Sequence, residues 1–425
     1  MPLAVVRKLP FYLLLAVFVF GAVLRVVYFD PAISRTPDER TYTRQADLVL
    51  EQGATGYRAL GQELAQNLPA VSRYPSPLRV GYITLLALWM DLTGDASVLA
   101  GAHLSLLCSL ATLALIAFFS YRYLSPVVAV VATLFYAVFA FDLTIFRRTW
   151  EESFMSLLTV CILALVAYIA RENANRRYIA LAGFTCVGFL ALTTKENAGI
   201  VFLLCAAGLT LHFLLQRNRS GAILTAASAA VAVLAYVVVL GALFGGVANA
   251  LTLVRGYTHY SGINPYSVQY DSGPVWLYPE GLFLASPFLF LVGLLGIAAA
   301  LYRVLHRRSS VDIDLPLGIG LLTVSMILIQ LVMNRYSFRY TAPVYGPICL
   351  LAGIGFDAVL PALDRLLAPL GRAAAYGILG FALGVAALRD LNFARERLIV
   401  PETQDLVIRP ILGLPPAPVP KDSPQ

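Results

Sequence analysis

The chain has 425 residues, of which 59% are hydrophobic and only 13% charged, with a mean hydropathy of +0.77. Soluble domains carry about a quarter charged residues, so this composition excludes an ordinary soluble enzyme and reads as a polytopic membrane protein. The net charge of +7 comes with no zinc finger or other nucleic-acid signature, so no nucleic-acid partner is expected; basic loops between apolar runs orient a membrane protein and meet anionic lipid.

The first apolar run, 11–29, follows Arg7 and Lys8 and lacks a small-x-small cleavage site before Asp30, so it reads as a retained helix. Further spans are expected near 96–120, 125–145, 153–170, 178–193, 198–215, 222–244, 281–302, 315–333, 343–360 and 371–388, about eleven in all. The segment 78–94 is short and bracketed by Arg79 and Asp91. Left in the interface, it puts the basic stretches 171–177, 216–219, 303–308 and 365–372 on the same side as Arg7 and Lys8. The positive-inside rule makes that side cytoplasmic. The expected product is an all-α protein with a membrane domain over 1–388, interfacial helices in an external loop 30–95, a second external loop 245–280 and a Pro-rich external tail 389–425, disordered at "LPPAPVPKDSPQ". The five cysteines lie in apolar runs at no metal-ligand spacing and read as small core residues.

On the side opposite the basic loops, five places carry polar chemistry. In "RTPDERTY", Thr36, Pro37 and Glu39 form a capping box with proline at the first helical position, predicting a helix to about Gln52 with Gly53 as its stop. The cap needs Glu39 but not Asp38, which stays free to point into a site. Glu151 and Glu152 open the fourth span, where acids also complement a helix dipole. Lys195 and Glu196 sit between two apolar runs, either as a plain interfacial turn or as a lysine held for a lipid phosphate. Arg335 and Arg339 are four apart and suit phosphate oxygens, while Tyr336 and Tyr340 suit an interfacial belt. The loop 255–281 holds five tyrosines, a tryptophan and His259, which on its own reads as a surface histidine. Arginines on this side, Arg147 and Arg148 among them, run against the positive-inside rule, and an anionic ligand would account for them.

Taken in order, "PDERTY", "YPSPLRVGYITLLALWMDLTG", "EESF", "LTTKENAGI" and "RYTAPVYGPICLLAG" resemble the motifs of the GT-C membrane glycosyltransferases across roughly 5–360, nearest to the lipid A aminoarabinose transferases and protein O-mannosyltransferases. The resemblance implies an inverting transferase that moves a sugar from a polyprenyl-phosphate donor to a hydroxyl or phosphate acceptor on the periplasmic or extracytoplasmic face of the inner (plasma) membrane. The acceptor would be a lipopolysaccharide or other glycolipid, a polysaccharide or a protein of the cell envelope. It implies Asp38 as base, Glu152 as the second acid with Glu39 beside them, and Lys195, Arg339 and Arg335 on the donor phosphate. Tyr42, Tyr74, Glu151, Arg148, His259 and Tyr260 would line the donor and acceptor sites. No cofactor is required by it; a divalent metal is left open, though no histidine completes a transition-metal set. The chain departs from the pattern in having Glu-Asn after the basic residue of "LTTK" and no large soluble C-terminal domain. The alternative is a transporter or flippase of a lipid-linked sugar, which would bury charges at mid-membrane and repeat its halves; here the charges cluster at one face and no repeat is seen.

Overall fold

The computed structural model describes residues 3–67, 75–172, 174–262, 269, 273–306, 315–332, 337–401, 406 and 408–415. In chain order the helices are α1 (Leu3–Tyr28), α2 (Pro37–Gln52), α3 (Ala54–Gln66), α4 (Val80–Thr93), α5 (Val98–Tyr123), α6 (Pro126–Val138), α7 (Ala140–Ile145), α8 (Glu152–Arg171), α9 (Ala174–Thr194) and α10 (Glu196–Leu215). They continue as α11 (Arg219–Leu243), α12 (Val247–Gly262), α13 (Leu277–Ala285), α14 (Pro287–His306), α15 (Leu315–Val332), α16 (Tyr345–Leu367), α17 (Arg372–Phe393) and α18 (Ile408–Ile411). A 3₁₀ turn, Phe338–Val344, precedes α16. Among the described residues eight helices are long and apolar enough to cross a membrane, or nine if the bent pair α13–α14 is one span, and α4, α6 and α15 are shorter apolar helices.

Both ends of the first long loop lie together. The Val98 carbonyl, at the start of α5, accepts from Thr149 Oγ1 at 2.5 Å, and the Thr149 amide donates to Glu39 at 2.9 Å. Helix α5 therefore begins beside the start of α2, at the end of the bundle where α1 stops. Gly101 makes this approach feasible, since a Cβ there would sit 2.0 Å from Thr149 Cγ2.

The span expected at 125–145 is broken. Phe139 leaves helical geometry (φ −63°, ψ 114°) and separates α6 from α7. Helix ends leave carbonyls without partners, and here Arg25 of α1 supplies them: its guanidinium donates to Tyr136 O at 3.2 Å and Ala137 O at 3.4 Å, to Ser109 Oγ at 2.6 Å, and to Asp142 Oδ2 at 2.5 Å. Tyr136 and Ser109 hydroxyls complete the Asp142 shell at 2.8 and 2.7 Å. Both charges are buried, so truncating one strands the other at a cost of about 3–5 kcal/mol. Thermal unfolding of Arg25→Met in detergent should show a loss of that size; a variant as stable as wild type would contradict it.

The span expected at 281–302 starts instead at Pro287, bent 115° from α13 at Ser286. Proline lacks the amide that would continue α13 and forces the preceding residue out of helical geometry; Ser286 sits at φ −151°, ψ 82°. Arg389 of α17 donates to the freed carbonyls of Leu284 and Ala285, and Ser286 donates to Asp390. Beyond the bend, α14 crosses α16 closely, because a Cβ on Gly355 would lie 2.0 Å from the Val292 carbonyl oxygen. The segment after 389, expected as the start of a tail, is helical to Phe393 and continues as a π-turn, Ala394–Ile399. Leu406 is buried and its carbonyl accepts from the Phe338 amide at 2.9 Å. Residues 416–425, most of the expected disordered stretch, lie outside the described residues. All five cysteines are free.

Candidate active site

Helix α2 begins as its sequence dictates. Thr36 Oγ1 accepts from the Glu39 amide at 3.3 Å, Glu39 Oε2 accepts from the Thr36 amide at 2.8 Å, and Pro37 follows the cap. Glu39 does more than cap. Its carboxylate also accepts from the Thr149 amide, from Arg35 at 3.1 Å and from Arg148 at 3.2 Å. Fully buried and held by these donors, it ties α2 to the loop before α8. Glu39→Gln replaces an acceptor-only group by one with an amide facing Arg35 and Arg148. It should lower unfolding stability by about 3 kcal/mol and leave the remaining folded fraction active, as a paired thermal-unfolding and active-fraction titration would read out.

The neighbouring Asp38 retains 27% side-chain exposure and accepts from Arg339 Nη1 at 3.0 Å. From there a chain of charges runs inward. Arg339 Nε donates to Glu152 Oε1 at 3.1 Å, and Lys195 Nζ bridges Glu152 Oε1 at 2.9 Å and Glu151 Oε1 at 2.7 Å. Arg79 Nη1 donates to the same Glu151 oxygen at 2.8 Å and to the Tyr42 hydroxyl. Three carboxylates thus face three cations. Trp150 lies under Arg339, 4.0 Å from the guanidinium carbon to the ring centre, and the Tyr340 ring lies 5.0 Å from Lys195 Nζ. Each participant comes from an element end: α2, α4, α8, α10 and the 3₁₀ turn. Asn197 Nδ2, donating to the Tyr340 carbonyl at 2.7 Å, holds that turn against α10.

Burial would raise the Glu151 carboxyl, but Lys195, Arg79 and Arg339 override it and hold the group below the ordinary carboxylate range. Burial also lifts the Tyr42 hydroxyl well above its usual value, against the pull of Arg79. The second oxygens of Glu151 and Glu152, Oε2 in each, are buried with no hydrogen-bond partner among the described residues.

Of the residues picked out in the sequence, Asp38, Glu152, Lys195, Arg339, Glu151 and Tyr42 meet in this network. Arg148 stands behind it, on Glu39 and 5.7 Å from the Trp150 ring centre. His259 and Tyr260 lie in α12 with their rings in edge contact at 5.1 Å, and no hydrogen bond or ion pair joins either to the network among the described residues. Tyr74 and Arg335 fall outside the described residues. Sequence reasoning missed Arg79, Trp150 and Tyr257. Burial pushes the Tyr257 hydroxyl up to about 12, and the charges of Arg79, Glu196, Asp38 and Glu151 all act on it. Arg79 was legible as the basic residue after "SPL" at the mouth of α4, but it passed as a flank of an interfacial helix.

Among the described residues no group of three or more His, Cys, Asp and Glu side chains is placed to hold a metal ion.

No protein-family model matches the chain, and no curated protein matches it in sequence. Solved structures match its fold. The archaeal oligosaccharyltransferase AglB from Archaeoglobus fulgidus, in complex with an inhibitory peptide and a dolichol-phosphate, superposes with a TM-score of 0.61 at 12% identity, covering 93% of this chain and 56% of that one. The same protein in complex with zinc and sulfate gives 0.57 at 12% identity, covering 89% and 53%. ArnT from Cupriavidus metallidurans bound to undecaprenyl phosphate gives 0.52 at 15% identity, covering 94% and 75%. The chain therefore spans little more than half the length of AglB. What it shares with both is the GT-C glycosyltransferase fold that its motifs led one to expect.

Proposed function

We propose that this GT-C chain is an inverting glycosyltransferase. It moves a sugar from a polyprenyl-phosphate donor to an acceptor hydroxyl at the outer face of the membrane. The observation that carries the reading is the meeting of Asp38, Glu152, Lys195 and Arg339, drawn from segments up to 301 residues apart, in one hydrogen-bonded chain. The lipid phosphates bound in the structures of similar fold, dolichol-phosphate with AglB and undecaprenyl phosphate with ArnT, support a donor of that class.

In this reaction the acceptor oxygen attacks the anomeric carbon as the bond from that carbon to the phosphate oxygen breaks. Asp38 takes the hydroxyl proton as general base. Glu152, through its unpartnered oxygen, orients the acceptor. Lys195 and Arg339 bind the donor phosphate and the leaving phosphate monoester, which gains one negative charge. Arg339 makes the two events cooperate. It is shared between Asp38 and the network, so a carboxylate that becomes neutral on protonation releases the guanidinium as the phosphate becomes more negative. Backside displacement inverts the anomeric configuration.

The test is to incubate the purified protein with a panel of polyprenyl-phosphate sugars and follow release of the carrier phosphate. One donor should be consumed in an acceptor-dependent manner. Absence of release from every donor, with folded protein and a panel of acceptors, would contradict the proposal.

A further inference from the structure

At the other end of the bundle lies a second polar site that the reaction does not use. Helix α8 leads away from the carboxylates for 20 residues, about 30 Å at helical rise, and ends at Arg171. There Arg171, Arg303 of α14, Tyr123 and Ser125 around the α5–α6 turn, and Asp357 of α16 line a cavity of about 180 Å³. Leu315 and Ile354, both buried, line it as well.

The Arg171 guanidinium lies 5.2 Å from the Tyr123 ring centre and donates to the Tyr123 carbonyl at 3.2 Å, which fixes its fork and leaves further N–H groups over. Arg303 makes no hydrogen bond or ion pair among the described residues. Asp357 accepts from Ser125 at 3.2 Å and is the cavity's acid. Among the described lining residues, two guanidiniums and one carboxylate leave one formal positive charge. That matches a phosphodiester monoanion, and the carboxylate supplies an acceptor for a hydroxyl on the same headgroup. The volume is below the roughly 300–1,000 Å³ that encloses a whole drug-sized ligand, so the cavity takes a headgroup and leaves the rest of the molecule outside. One membrane thickness from the carboxylates, that remainder lies at the opposite bilayer surface.

We infer that this cavity binds the phosphodiester headgroup of a hydroxyl-bearing anionic phospholipid, separately from the donor site. The probe is dihexanoyl phosphatidylglycerol, titrated into delipidated full-length protein in neutral detergent and read by native mass spectrometry and calorimetry. Wild type should bind it saturably. Arg171→Gln and Arg303→Gln should each weaken binding tenfold or more, while Arg176→Gln, at an exposed arginine that does not line the cavity, leaves it unchanged. Arg171→Lys, which keeps the charge without the fork, should fall between and serves if a glutamine variant fails to fold. Dihexanoyl phosphatidylcholine, a phosphodiester without a donor, should bind at least tenfold more weakly. Undiminished binding in the Arg171 and Arg303 variants would overturn the site. Displacement of the lipid by equimolar inorganic phosphate would overturn the lipid assignment in favour of a free phosphate.

Discussion

Asp38→Asn should lower the rate of carrier release by about 10²–10⁴, the range that general-base catalysis supplies, with little change in stability or in donor KM. The substitution is isosteric and sits on a side chain 27% exposed. It therefore leaves no buried charge stranded, and asparagine can still accept from Arg339. Base strength is what it removes. Single-turnover release from the preloaded donor complex isolates that step from product dissociation, and thermal unfolding checks the fold. A variant that releases the carrier at the wild-type rate would remove Asp38 from the chemistry, and Glu152 would then be the residue to test as base.

Lys195→Met should act on both stability and function, for a separable reason in each. Its ammonium is nearly buried, 3% exposed, and touches both Glu151 and Glu152. Without it the two adjacent carboxylates keep only Arg79 and Arg339 for compensation, and breaking a buried pair costs about 3–5 kcal/mol. On the functional side, losing one charge-assisted hydrogen bond to phosphate, about 1.5–3 kcal/mol, should raise donor KM by tenfold to a hundredfold. The two effects come apart in the double variant Lys195→Met/Glu151→Gln, which removes a carboxylate along with its cation. Stability should recover by about 1–3 kcal/mol relative to additivity, whereas donor binding should stay weak. Recovery of both together would mean that Lys195 acts only by neutralising Glu151.

How far the sequence led depended on whether a feature was local. Helix α2 was legible to the residue, because its start and stop rest on Thr36, Pro37, Glu39 and Gly53, all within the segment itself. Eight of the expected crossings were legible because an apolar run of the right length has few other uses. The break at Phe139 was not, for it depends on Arg25, more than a hundred residues away, arriving to hold the carbonyls of Tyr136 and Ala137. The bend at Ser286 left a mark in Pro287, but α13 before it is apolar enough to pass as the top of a span. The fate of the chain beyond Arg389 turns on Leu406 pairing with Phe338, which no local pattern announces. In the site, charged residues at span ends stood out against an apolar background. Arg79 did not, because in an interfacial segment an arginine is unremarkable until its partner, Glu151, is known.

Whether the chain breaks the glycosyl–phosphate bond at all is decided by following the carrier and the sugar together. With the reconstituted protein, a doubly labelled polyprenyl-phosphate sugar and the acceptor, the account predicts one carrier phosphate released per sugar transferred, with the anomeric configuration inverted in the product. Recovery of intact labelled donor in the opposite leaflet, without carrier release, would contradict it and make the chain a carrier of lipid-linked sugar instead.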